Sequence, residues 1–296
     1  MSRLRARGVT LIELVVVIVV LGILAGIAAV ILVPAYEAYF ASQRRAELAD
    51  VADTALRRML RDVRLSLPNS PRVRVDGTDQ FLEFLLTKNG GRYRATNDDN
   101  VTTTEDPLDF AGDGAFDTLG TLPSGAGQQV QANDFVVIHN LGISGANAYD
   151  VAAASPNIAR ISSLGAGALA DEERITLTAS TRFPLESPGR RFFVVSGPVT
   201  YACTGLGTAG GNGTGFLRRW SGYPIQLQFD GLESAPKSLP AGGAEAILAD
   251  SLSACTFTYS NSLTQLSRGL ITIRLAITRA NETVVLYQQA HVNNVP

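Results

Sequence analysis

Hydrophobic and polar positions divide the chain into three stretches with different periods. From Leu14 to Ala35, 22 consecutive residues carry no charge. At ~1.5 Å rise per residue, a helix of that length covers roughly 33 Å, enough to cross a ~30 Å hydrocarbon core. Beyond it, Leu48, Ala52, Ala55, Met59 and Val63 recur at three- and four-residue spacing, flanked by Leu56, Leu60 and Leu67. Arg44, Arg45, Glu47, Asp50, Asp53, Arg57, Arg58, Arg61 and Arg64 occupy mostly other faces, so the helix is expected to continue in amphipathic form. Asp53 and Arg57 form an i,i+4 pair in the favourable order. The helix is expected to stop before Pro68, which pushes its predecessor out of the helical region. After Pro68 the period falls to two. Branched and aromatic residues alternate with polar ones over 72–75, 80–86, 134–139, 174–178, 191–196, 225–229, 256–259, 270–278 and 283–292, the last two making a hairpin across 279–282. The glycine-rich segments 120–127, 163–167 and 205–215 read as loops. The pattern predicts an α+β fold, with one long N-terminal helix packed on a mainly antiparallel sheet.

Charge changes this picture at one point above all. Glu13 places a carboxylate at the head of the apolar run, and an ionisable group at bilayer depth costs on the order of 3 kcal/mol and calls for a partner. A secretory signal peptide has a shorter apolar stretch followed by a small-residue cleavage site. Here Gly22, Ala25, Gly26, Ala28 and Ala29 lie inside the run, where small residues suit close helix approach. Arg3, Arg5 and Arg7 precede the run with no acidic residue, so the N-terminus stays cytoplasmic and everything after Pro34 crosses the membrane. The two cysteines, Cys203 and Cys255, then lie on the outer side, where an oxidising compartment favours a disulfide over two free thiols. The formal net charge of -2 does not suit a generic nucleic-acid surface. The arginine-rich helix face reads as a solvated face, or as a stripe for lipid or a partner.

A basic leader ending in Gly8, followed by Val9-Thr10-Leu11-Ile12-Glu13 and the apolar helix, resembles the N-terminal signature of type IV pilins and type II secretion pseudopilins. The resemblance implies a leader over 1–8, cleavage of the Gly8-Val9 bond by a prepilin peptidase and methylation of the Val9 amine. It further implies that Glu13 pairs with the N-terminal amine of an adjacent subunit in a filament core. The domains become the leader, a helix over 9–67 that is transmembrane over about 11–35, and a periplasmic, mainly-β domain over 68–296. Loss of three leader arginines takes the mature chain to a net charge of -5. The first mature residue is Val9 where the family usually has Phe, and Pro34 lies later than the kinking proline of major pilins. Both departures point away from the abundant shaft subunit.

Further likenesses, namely Leu67-Pro68-Asn69-Ser70, Gly90-Gly91-Arg92-Tyr93, Pro107-Leu108-Asp109-Phe110, Ser196-Gly197-Pro198-Val199-Thr200-Tyr201, Arg219-Trp220-Ser221-Gly222-Tyr223-Pro224 and the end from Tyr287 to Pro296, are similar to the MshO family of mannose-sensitive haemagglutinin pilus biogenesis. That family's role implies a minor pilin that initiates or caps a filament. Its expected partners are other minor and major pilins, the prepilin peptidase, the inner-membrane assembly platform and membrane lipid, with no nucleic acid and no cofactor. A minor pseudopilin of the type II secretion tip complex is the alternative, although Glu13 argues against its outermost subunit, which by family pattern lacks that carboxylate.

Candidate chemistry in the remainder is thin, and an enzyme is not expected. His139 and His291 each sit in a strand-like run, where a structural role outweighs that of a base or ligand. No Gly-x-Ser-x-Gly, His-Glu-x-x-His or Cys-x-x-Cys occurs. Gly205-Leu206-Gly207-Thr208-Ala209-Gly210 matches a dinucleotide fingerprint, yet more glycines follow it where a helix is needed, and it reads as a flexible loop. Asp98, Asp99, Glu105, Asp106, Asp109, Asp113 and Asp117 form an acidic run. Asp109, Asp113 and Asp117 are a weak calcium candidate, the alternative being a solvated acidic loop. Trp220 and Tyr223 beside Arg218 and Arg219 either pack on the sheet or present a stacking platform, as a tip adhesin for glycan would require.

Overall fold

The computed structural model describes residues 9–97, 105–227, 236–261 and 268–294. The chain separates into two compact units, Met1–Leu48 and Ala49–Pro296, with the helix α1 (Leu11–Arg64) running through the boundary.

In the first unit the large apolar side chains of residues 11–33 are all solvent-facing, each between 48% and 82% exposed. A continuous apolar surface of this extent is matched to lipid or to other protein, and the helix is long and apolar enough to cross a membrane. Pro34 lies inside the helix, where it removes one i to i−4 hydrogen bond.

In the second unit the stripe expected from the sequence is buried at Ala52, Ala55, Leu56, Met59 and Val63. Asp62 shares that inner face and accepts hydrogen bonds from the Tyr201 hydroxyl at 2.8 Å and from Arg219 Nε at 2.8 Å. α1 ends at Arg64, a little before the residue 67 limit. Its last turn tightens through the Leu65 N–H to Asp62 and Ser66 N–H to Val63 bonds.

The strands are β1 (Arg72–Asp76), β2 (Asp79–Arg92), β3 (Asp113–Asp117), β4 (Phe135–Ile138), β5 (Ile158–Ala166), β6 (Glu173–Thr181), β7 (Arg191–Thr204), β8 (Thr208–Ala209), β9 (Asn212–Gly213), β10 (Gly215–Ser221), β11 (Ala244–Asn261), β12 (Arg268–Arg279) and β13 (Glu282–Asn293). Among the described residues every pairing is antiparallel, and eleven strands join one sheet in the order β13-β12-β11-β10-β7-β4-β5-β6-β3, with β2 on β7 and β1 on β2. β7 is the spine. β2 follows one of its sides throughout, while the other is shared between β4, opposite residues 192–195, and β10, opposite residues 199–204. Gly197, at φ 127, and Pro198, which lacks an N–H, fall between the two halves. β4 is buried on both faces, with Val136 and Ile138 in one apolar cluster and Val137 in another. The Cys203–Cys255 disulfide joins β7 to β11 across the intervening β10.

Several expectations need correction. Residues 225–227 are not strand, because this segment is held by side chains instead: Arg72 donates to the carbonyls of Gln226 and Leu227. Residues 228–229 lie outside the described residues. β3, β5 and β10 were not anticipated, and 163–166 belong to β5, not to a loop. The segment 205–215 is a hydrogen-bonded hairpin, not a flexible loop. Gly210 and Gly211, at φ 56 and 79, form its turn, which meets the β12–β13 turn through the Asn281 N–H to Gly211 O bond of 2.8 Å. A Cβ on Gly213 would lie 2.1 Å from the Ser251 carbonyl oxygen, so backbone must move to admit one. Gly213→Ala is expected to cost about 1–3 kcal/mol in thermal denaturation.

Asparagines close the far end of the helix. Asn69, at φ 58, donates from Nδ2 to Asn140 O at 2.9 Å and to Asn294 O at 3.3 Å, and Asn140 Nδ2 donates to Pro68 O at 2.7 Å.

Candidate functional site

The helix begins where the sequence places its most unusual residue. Thr10 is the N-cap: its hydroxyl accepts the Glu13 N–H at 3.3 Å, and its carbonyl accepts the Leu14 N–H at 3.1 Å. Glu13 therefore stands in the first helical turn, at the positive end of the helix dipole, where a carboxylate is favoured. The spacing is that of a capping box, in which the residue three beyond the cap is Glu. Val9 and Ile12 are 68% and 73% exposed, so this end offers an apolar collar around one acidic group. Gly8 and the leader arginines lie outside the described residues, as do Asp98 and Asp99.

The acidic segment makes local structure. Asp109 accepts the Ala111 N–H at 2.8 Å, and Asp113 accepts the Asp109 and Ala115 N–H groups at 2.9 and 3.1 Å. Asp117 is fully buried and receives Arg174 Nε at 2.8 Å and the Asp106 N–H at 3.0 Å. Burial alone would raise the Asp117 carboxyl, but the Arg174 guanidinium and the Asp106 amide outweigh it and hold it below its ordinary value. Among the described residues no three His, Cys, Asp or Glu side chains converge on a common point suited to a metal.

Trp220 and Tyr223 are buried, not displayed. The Trp220 indole donates to Glu245 at 3.0 Å and its ring lies 5.8 Å from Phe81. The Tyr223 hydroxyl donates to Glu83 at 2.6 Å, and Thr200 donates to the same oxygen at 2.9 Å. Burial, with Glu83 beside it, raises the Tyr223 phenol far above its ordinary value. Arg72 completes this group: Nε donates to Glu83 at 2.8 Å, and the guanidinium lies 3.6 Å from the centre of the Tyr149 ring. A second buried group joins Arg94 to Glu105 and Glu172. Sequence reasoning missed both, since the partners lie 11 or more residues apart on different elements.

His291 is exposed on β13. His139 directly follows β4 at φ 50, with its Nδ1 buried and no hydrogen-bond partner, and burial lowers its pKa. The folded form is therefore protonated at lower pH than the unfolded one. Stability is full above the unfolded value near 6.5 and falls as pH drops through it toward the lower folded value. His139→Asn suits the left-handed backbone and removes that titration, so urea melts from pH 7 to 5 are expected to show a flatter decline for the variant.

Residues 3–29 match the family described as prokaryotic N-terminal methylation motif. No curated protein and no solved structure matches the chain. The chain thus carries a type IV pilin-like N-terminal methylation signature, on one long N-terminal apolar helix followed by a mainly antiparallel sheet.

Proposed function

We propose that this protein is a minor pilin which, with other minor pilins, initiates or caps a type IV filament of the mannose-sensitive haemagglutinin kind. The observation that carries the reading is the conjunction at the N-terminus: a methylation signature over 3–29, and a lone Glu13 in the first turn of a helix whose next 22 residues carry no charge and expose their large apolar side chains. A carboxylate there is costly in lipid and is offset by a cation at the same depth. The amine freed by cleaving the Gly8-Val9 bond, on an adjacent subunit, supplies that cation. In this reading residues 1–8 are the leader, about 11–35 span the inner membrane, and 68–296 form the periplasmic domain, held by the disulfide. Pilins, the prepilin peptidase and the inner-membrane assembly platform are the partners. The work is assembly, not catalysis. Burial of Trp220 and Tyr223 removes the aromatic platform that the tip-adhesin reading would use.

The test is quantitative peptide mass spectrometry of sheared surface filaments beside the membrane fraction. The peptide starting at methylated Val9 is expected in the filaments at low stoichiometry. Protein confined to the membrane and uncut after Gly8 would overturn the assignment.

A further inference from the structure

A groove of about 380 Å³ opens in the second unit between the last turns of α1 and the first half of β11, lined by Thr54, Ala55, Arg57, Arg58, Arg61 and Leu248. Its helix wall is cationic. Asp53 answers Arg57 at 2.6 Å, and Asp62 stands 3.7 Å from Arg58. That second carboxylate is already engaged by Tyr201 and Arg219. Arg61 has no carboxylate partner among the described residues, and all three arginines are exposed. Positive charge is therefore left over in the groove, on a chain whose net charge is negative.

Its other wall is Leu248, in a part of β11 whose outer edge carries no ladder. β12 pairs with β11 only from Leu252 to Asn261, so on that side residues 244–249 have no hydrogen-bonded strand partner among the described residues. The ladder with β10 skips Leu248: Leu217 faces Ala249 and Arg218 faces Ile247. A bulge of this kind re-aims a side chain, and here it puts Leu248 into the groove while Ile247 remains 58% exposed. An open edge with apolar residues and no proline is a template for another strand.

From these two walls we infer that the groove docks an extended, carboxylate-bearing segment of another protein chain, which adds to the β11 edge and sets its acidic side chains on Arg58 and Arg61. The guanidinium fork matches carboxylate in two parallel bonds, and the edge supplies main-chain bonds that a phosphate or lipid headgroup has no groups to accept and donate in register. This inference is independent of filament entry, since it uses only the second unit.

The test uses the full chain in neutral detergent micelles and a fluorescent octapeptide of alternating glutamate and valine, read by anisotropy. Binding is expected, weakening with added salt, and falling roughly tenfold or more for the Lys-Val analogue and for the Arg58→Glu/Arg61→Glu variant. The same peptide methylated on alternate backbone nitrogens is expected to lose a similar factor, which a purely electrostatic contact would not. Both arginines are exposed, so an unchanged melting curve will show the variant is folded. No binding of the Glu-Val peptide, equal binding of the Lys-Val peptide or the N-methylated one, or binding only to phosphatidylglycerol vesicles added in its place would each overturn the inference.

Discussion

Glu83→Ala is expected to destabilise the sheet domain by about 3–5 kcal/mol, because it strands Arg72 as an uncompensated buried charge. Side-chain exposures are 9% for Arg72 and 1% for Glu83, so water cannot replace the lost partner. The same substitution leaves the Thr200 and Tyr223 hydroxyls without their acceptor. It also loosens the residues that follow Tyr223, since Arg72 holds the Gln226 and Leu227 carbonyls. For a domain of this size the loss corresponds to a fall in Tm of roughly 10 °C. Removing both charges together, as Arg72→Met with Glu83→Leu, is expected to cost less, because no charge is then buried without a partner, and the remaining cost is that of the Thr200 and Tyr223 hydroxyls and the Gln226 and Leu227 carbonyls that lose their partners. Thermal melts of Glu83→Ala and of the double variant in detergent check this. A single-variant loss below 1 kcal/mol would show that the network is solvated.

Glu13→Leu is expected to act in the opposite way, leaving the sheet domain untouched and abolishing assembly. The substitution removes a group worth on the order of 3 kcal/mol against insertion, so the variant should enter the membrane at least as well. The Thr10 cap remains, since it uses the Glu13 backbone N–H. What is lost is the only carboxylate that could neutralise an incoming N-terminal amine in the apolar part of the helix. Filament-associated protein is expected to fall by roughly a hundredfold, with the cleaved form accumulating in the membrane, as an unpaired buried cation costs several kcal/mol. Immunoblots of sheared filaments and membranes give both readouts. Wild-type incorporation would show that Glu13 serves only as a helix-start residue.

What was legible in the sequence follows how local each signal is. α1 was visible because its two periods are written in consecutive residues, from the apolar run to the stripe at Ala52, Ala55, Met59 and Val63. β12 and β13 were visible for the same reason, as was the likelihood of oxidation at Cys203 and Cys255 once both were placed outside the membrane. β3 was not legible: Asp113-Gly114-Ala115-Phe116-Asp117 has low intrinsic preference for strand, and its pairing with β6 comes from residues 174–181. β10 was hidden by the glycines before it, since Phe216 to Ser221 gain their meaning only between β7 and β11. The run of acids looked like one feature, yet Asp109 and Asp113 serve neighbouring amides while Asp117 answers Arg174, 57 residues away. Spacing alone cannot separate such roles. The groove beside Leu248 was invisible too, because a bulge is a relation between two strands.

The asparagine joint after the helix has a consequence for how the chain reaches its native state. Asn69 and Asn294 are 225 residues apart, so a chain that emerges from its N-terminus must deliver its last strand before the first bend below the helix can set. β2 and its partner β7 likewise meet across 99 to 123 residues, from Arg92 with Arg191 to Gln80 with Cys203. Contacts this distant slow folding and leave apolar strands uncovered in the interim. The sheet domain is therefore expected to finish its packing only when the end of the polypeptide is available, since β13 and Asn294 are the last parts made.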